Sequence, residues 1–181
     1  MSEMPPAQHD LQEADASALY LPVPVAEPLV AEHRLRWDPA AADGVPAHVT
    51  ILFPFLDPAR IDETVRAELR AIAAAVPRFT LRFERVGRFP DVVWLAPEPV
   101  APVAALTDAV VARWPDHPPY GGVFEVVVHH LTVADGAPEP VLDELERLLP
   151  AGLPLAQWVT ELHLATRRAG AWSVDERLPL G

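Results

Sequence analysis

Hydrophobic and polar positions along the chain change period several times, and each change marks an element. Ala18 to Val25 (ALYLPVPV) reads as a first strand. Its two prolines, Pro22 and Pro24, fall on one side, so the strand is expected at a sheet edge or with one edge free. Glu27 to Trp37 reads as a short helix with Leu29, Val30 and His33 on one side, and Asp38 to Pro46 as a loop. Ala47 to Phe53 follows as a strand. Asp57 is the expected N-cap of the next helix, with Pro58 in its first position. Ile61, Val65, Leu69, Ile72 and Val76 then recur at helical spacing until Pro77. Phe79 to Phe89 alternates Phe79, Leu81 and Phe83 against Thr80, Arg82 and Glu84, which is strand period, and pairs as a hairpin with Asp91 to Ala96.

A second cycle repeats the first. Val100 to Trp114 is a helix with Val103, Leu106 and Val110 inward, and Pro115 to Gly122 is a loop. Phe124 to Ala134 reads as one long strand. Pro138 to Leu149 is a helix with Val141, Leu142, Leu145, Leu148 and Leu149 on one face, while its acids from Glu139 to Glu146 form a solvated face. Gln157 to Arg167 and Ala171 to Leu178 close the chain as a hairpin turned at Ala169-Gly170. The order is an internal duplication, visible in pattern more than in identity. It predicts an α+β chain in which two similar lobes meet about an approximate two-fold axis, with a ligand groove between them. Residues 1–16, polar and without periodicity, are expected to be a flexible leader, and 17–181 a single bilobal domain.

The duplication carries a chemical signature. His48-Val49-Thr50-Ile51 returns 82 residues later as His130-Leu131-Thr132-Val133. Alternate side chains of a strand share a face, so His and Thr of each copy point one way and the apolar residues point into a core. Two such strands facing each other present two imidazoles and two hydroxyls to one cleft, a site for acid–base chemistry on a small anionic group. His129 stands beside the second motif, but only His130 lies two residues before a threonine, and in a strand His129 faces the opposite way.

Charge and composition narrow the substrate. With 14 basic against 26 acidic residues the formal charge is −12. Non-specific nucleic-acid binding runs on Lys and Arg, so any nucleic-acid role concerns a nucleotide, a short oligomer or a chain end. Arg82, Arg85 and Arg88 form the one basic cluster, read as a solvated sheet face or a phosphate-steering patch. There is no cysteine, hence no disulfide, thiol nucleophile or cysteine-ligated metal. The acids show no metal-ligand spacing with the histidines. No apolar run reaches the roughly 20 residues of a membrane span, and Met1 to Asp10 lacks a signal peptide's character, so a cytoplasmic protein is expected. Tyr120 can stack on a nucleobase or pack on a neighbouring strand; Phe53, Phe55 and Phe89 are read as core or base platform. His163 is expected to face solvent, and His33 and His117 to lie at the surface.

Two His-x-Thr-apolar tetrapeptides about eighty residues apart, in this strand–helix rhythm, resemble the 2H phosphoesterase superfamily. Within it the chain resembles the bacterial 2′-5′ RNA ligase family, also described as RNA 2′,3′-cyclic phosphodiesterases. The likeness runs from about Ala18 to Leu178 and includes the LYLPVP opening strand and the Tyr120-Gly121-Gly122 approach to the second motif. It implies a bilobal fold with two antiparallel sheets around a central cleft, no metal and no cofactor. It further implies His48 and His130 as the catalytic pair, Thr50 and Thr132 as phosphate ligands, and chemistry on cyclic phosphates or 2′-5′ linkages at RNA ends. Proline is expected before the second motif histidine; here the residue is His129. The expected partner is a nucleotide or short RNA end carrying a cyclic phosphate, handled by a monomer without a membrane. Two alternatives keep the fold: a phosphodiesterase of a small cyclic-phosphate metabolite such as a cyclic phosphate of ADP-ribose, and a nucleotide- or RNA-end-binding module without turnover.

Overall fold

The computed structural model describes residues 15–181. The expected leader, 1–16, lies outside the described residues except for Asp15 and Ala16, and Ala16 already opens the first strand. In chain order the elements are β1 (Ala16–Pro22), α1 (Glu27–Trp37), α2 (Pro39–Ala42), β2 (His48–Leu52), α3 (Glu63–Ala74), β3 (Phe79–Phe89) and β4 (Val92–Glu98). Then come α4 (Ala101–Arg113), β5 (Leu131–Asp135), α5 (Glu139–Leu148), β6 (Leu155–Val159), β7 (Glu161–Arg168) and β8 (Ala171–Pro179). The strands form two four-stranded antiparallel sheets, ordered β2-β1-β7-β8 and β5-β4-β3-β6. Each sheet therefore has a motif strand at one edge and the strand before it in the cycle, β1 or β4, as its inner neighbour. That is the duplication in three dimensions.

The cycles are interlocked. Helix α1 leaves the first sheet but packs against β5 of the second, and α4 leaves the second sheet but packs against β2 of the first. One core, including Leu19, Leu21, Val49, Ile51, Leu81, Phe83, Leu95, Leu106, Leu131 and Leu164, runs through both sheets. The expected alternation of β3 holds: Leu81 and Phe83 are buried while Thr80, Arg82 and Glu84 are exposed.

Four expectations are corrected. First, β1 is an interior strand, paired to β2 on one side and β7 on the other. Its prolines do not break the ladder because Pro22 is its last residue and Pro24 lies beyond it in a 3-10 turn. Second, Asp57 caps only a short 3-10 turn over Pro58–Arg60; the helix starts at Glu63, where Asp62 accepts a hydrogen bond from the Val65 N–H at 2.9 Å. Third, the second motif strand begins at Leu131, and Phe124 to His130 lies outside the ladder with Phe124, Val126 and Val128 exposed. Fourth, Gln157 to Arg167 is two strands broken at Thr160, the first paired to β3 and the second to β1.

Candidate active site

Strands β2 and β5 are edge strands of different sheets and lie against each other. The two His-x-Thr copies, distant in sequence, thus become neighbours. On β2, Thr50 stands opposite Tyr20 of β1 and His48 opposite Pro22; on β5, Thr132 stands opposite Trp94 of β4. Val49, Ile51, Leu131 and Val133 point away into the core, as the alternation requires.

Both histidines are held the same way. The His48 Nδ1 lies 2.8 Å from the Pro46 carbonyl oxygen, and the His130 Nδ1 lies 2.7 Å from the Val128 carbonyl oxygen. A carbonyl can only accept, so each Nδ1 carries its proton and donates it. The tautomer of the neutral ring is thereby set, and Nε2 of each imidazole is the nitrogen able to exchange a proton. This repeated local contact also bears on the register: His130, although just outside the ladder, makes the same carbonyl contact as His48. His129 is different. It is buried, and its Nδ1 stands 3.4 Å from the Thr50 carbonyl oxygen, bracing β2 from behind.

The walls are aromatic and unlike. Tyr20 lies 5.0 Å from the His48 ring (between centroids) and 5.4 Å from His163 on its other side. Phe89 meets His130 edge to face at 5.3 Å, with Trp94 at 5.8 Å. Enclosure disfavours the charged imidazolium. Burial, reinforced by the Arg34 guanidinium, pushes His48 down to about 4; the Pro46 carbonyl and Asp38 oppose this, and His130 adds to the lowering. Burial also lowers His130, with the Val128 carbonyl and Asp38 acting upward. Burial raises Tyr20 to about 12 and raises Tyr120, whose phenol is held by the Thr50 hydroxyl.

Tyr120 reaches the site at a backbone cost. It adopts φ 52°, and its N–H donates to the Phe53 carbonyl at 2.6 Å. Left-handed backbone at a bulky residue is uncommon and persists where surrounding structure enforces it. Its ring lies 5.5 Å from Phe124, which is 54% exposed.

The remaining candidates separate. Phe53 meets Trp172 at 6.1 Å, whereas Phe55 is buried against Trp114. His163, expected to face solvent, is buried: its Nε2 is 2.7 Å from a Glu161 carboxylate oxygen and Tyr20 covers its ring. The reason is that β7 is an inner strand, both of whose faces are covered. His33 and His117 are half-buried. Arg82 and Arg85 are exposed and paired to Glu84 and Glu98. Arg88 is gripped by Glu139, Asp143 and Glu146, so the acids of α5 are engaged rather than merely solvated. Among the described residues no group of three or more His, Cys, Asp or Glu side chains is arranged to hold a metal ion, and no helix is long and apolar enough to cross a membrane.

Two site residues escape sequence reasoning, Arg34 and Asp38. Both are buried behind the motif strands and joined at 2.7 Å. The one signal for Arg34 is its place four residues after Val30, on the inward stripe of α1, where a charge is unexpected.

Comparison with known proteins agrees with this architecture. The 2′-5′ RNA ligase superfamily matches residues 21–171. A protein of Bacillus cereus (strain G9842) that carries a phosphoesterase name is 29% identical over 158 residues, 82% of this chain and 86% of its own. The crystal structure of Escherichia coli LigT complexed with 3′-AMP superposes with a TM-score of 0.58 at 21% identity, covering 92% of this chain and 98% of LigT. LigT complexed with NADP+ gives 0.54 at 19% identity, with 93% and 98% covered. A protein of Thermus thermophilus gives 0.60 at 19% identity, with 91% and 97% covered. With the family matched across most of its length and the two-sheet fold shared with these structures, the chain belongs to the 2′-5′ RNA ligase superfamily, the 2H phosphoesterases.

Proposed function

We propose that this protein is a metal-independent phosphodiesterase that hydrolyses 2′,3′-cyclic phosphate ends of nucleotides or short RNA, or reversibly handles 2′-5′ linkages there. The reading rests on one observation: two adjacent edge strands are each entered through a histidine, His48 as the first residue of β2 and His130 immediately before β5, whose Nδ1–H is tied to a carbonyl two residues upstream, which leaves two Nε2 atoms for one phosphate. Attack and departure occur on opposite sides of phosphorus, so one imidazole takes a proton from water while the other gives one to the departing ribose oxygen. The Thr50 and Thr132 hydroxyls donate to the non-bridging oxygens, whose charge grows as the phosphorane forms.

A small substrate is favoured over a long one. The 14 Lys and Arg positions of this chain are all arginine, and Arg66, Arg70, Arg85, Arg88 and Arg113 are each bound to a carboxylate. Little cationic surface remains to follow a polynucleotide backbone. The ligands named for the LigT structures, 3′-AMP and NADP+, are of the expected size.

Incubation with a 2′,3′-cyclic nucleotide in EDTA, alongside His48→Ala and His130→Ala, tests the reading. Turnover should survive EDTA and fall at least about 10²-fold in each variant. Well-folded wild type that binds the nucleotide without product, unchanged by His48→Ala, would replace the enzyme with a binding module.

A further inference from the structure

The two-histidine scheme leaves one costly feature unused. Arg34 is 2% exposed and Asp38 6% exposed. A guanidinium taken out of water needs partners for its N–H groups. Nη2 and Nε of Arg34 donate to Asp38 Oδ2 at 2.7 and 3.0 Å, Nε also reaches the Thr132 carbonyl at 3.1 Å, and Nη1 the Val45 carbonyl at 3.2 Å. Val45 lies three residues before His48, and Thr132 two residues after His130. One planar fork on α1 therefore holds the backbone of the second motif and of the loop that leads into the first, and Asp38, whose other oxygen accepts the Ala40 N–H at 3.0 Å, holds the fork. An ammonium could not reproduce this rigid geometry.

The pair also distinguishes two halves that are otherwise alike. The charged or titratable groups that bear on His48 are Arg34, Asp38 and His130, with Tyr20 of β1 against its ring and Glu27 of α1 accepting the neighbouring Ala47 N–H. Around His130 stand Asp38, His129 and the uncharged Phe89 and Trp94. The cation acts on His48; the carboxylate acts on both.

We propose that Arg34 and Asp38 are positioning residues that hold the two motif strands in catalytic register and make the histidines unequal, so that His48 accepts the proton of the attacking water and His130 donates one to the departing ribose oxygen. The inference rests on the phosphodiesterase reading. In the step, a water proton passes to His48 Nε2 as the water oxygen bonds to phosphorus. The bond from phosphorus to one ribose oxygen breaks, and that oxygen takes the Nε2 proton of protonated His130. Arg34 favours a neutral His48 at the outset, while Asp38 and the arriving phosphate anion favour a charged His130.

The test combines NMR titration of both imidazoles with the pH–rate profile, in wild type, Arg34→Met, Arg34→Lys and Asp38→Asn. Arg34→Met should raise the His48 midpoint by about 1 unit or more and carry the acid limb of kcat/KM with it, whereas Asp38→Asn should lower that midpoint. Arg34→Lys, which keeps the charge but loses the fork, should leave the midpoint within about half a unit while turnover falls about 10²-fold. Opposite shifts from the two partners cannot arise from general loosening. If Arg34→Met does not fold, Asp38→Asn carries the midpoint readout and Arg34→Lys the turnover readout. The proposal is overturned if Arg34→Met and Asp38→Asn move His48 the same way or not at all, or if Arg34→Lys turns over like wild type. Wild type inert towards cyclic phosphates, with His48 titrating as stated, would overturn the phosphodiesterase reading and the proton assignment together while supporting the unequal electrostatics of the two histidines.

Discussion

Replacing Thr107 by valine should loosen the strand that carries His48 without touching the site. Thr107 on α4 is 5% exposed, and its hydroxyl lies 2.9 Å from the Ile51 carbonyl of β2 and 3.3 Å from the Val103 carbonyl. A hydroxyl has one proton to donate, and the shorter contact takes it. Val103 is the residue one turn earlier on the same helix, so its carbonyl keeps the helical hydrogen bond from the Thr107 N–H. The loss therefore falls on Ile51, in the strand at the edge of its sheet among the described residues. Valine matches threonine in shape, so packing is unchanged and the cost is that of an unsatisfied buried carbonyl, about 1–3 kcal/mol. At about 2–4 °C per kcal/mol for a chain of this size, Tm should drop by roughly 2–12 °C. Denaturant unfolding is the cleaner assay: the midpoint should move while the slope m does not. Thr107→Ser, which keeps the hydroxyl, should recover most of the loss. A valine variant within about 0.3 kcal/mol of wild type, or a serine variant as weak as valine, would refute the reasoning.

Two further outcomes are expected. Because the folded state holds His48 at about 4 and the unfolded chain near 6.5, the unfolded state binds the extra proton between these values. Stability should fall as pH is lowered through that window, by up to about 1.4 kcal/mol per pH unit from this residue; the difference in pH-dependent denaturation between wild type and His48→Gln isolates it, and identical curves would show that His48 is not desolvated. Gly87→Ala places a Cβ inside the Trp94 indole. The ring that packs on His130 must then shift, so near-UV circular dichroism should change, stability should fall by about 1–3 kcal/mol and turnover should drop with it; an unaltered Trp94 signal would contradict the contact.

Much of the fold is readable along the chain because its determinants are local. Helix α1 and strand β3 have the bounds their periodicity predicts, since a buried stripe repeats every turn in one and every second residue in the other. The candidate site is legible for a similar reason: the copied His-x-Thr puts both polar groups on one face, and its repetition implies two strands that meet. The departures concern partners. The run Phe124 to Val128, with three consecutive valines, has strand propensity but no ladder, because the pairing with β4 ends at Leu131 and His129, just before it, contacts the Thr50 carbonyl of β2. The stretch 157–167 contains no glycine, proline, asparagine or aspartate to mark a break, yet Thr160 is where it passes from one sheet to the other.

The sequence by itself therefore determined most of the elements, the duplication and the two histidine–threonine pairs, all of which follow from side-chain periodicity over a few residues. Only the tertiary structure decided that β1 and β7 are interior, that His163 is buried and that Arg34 sits with Asp38 behind the motif strands. Burial and charge pairing depend on which distant segments arrive at a face, and the spacing of residues along one segment carries no record of that.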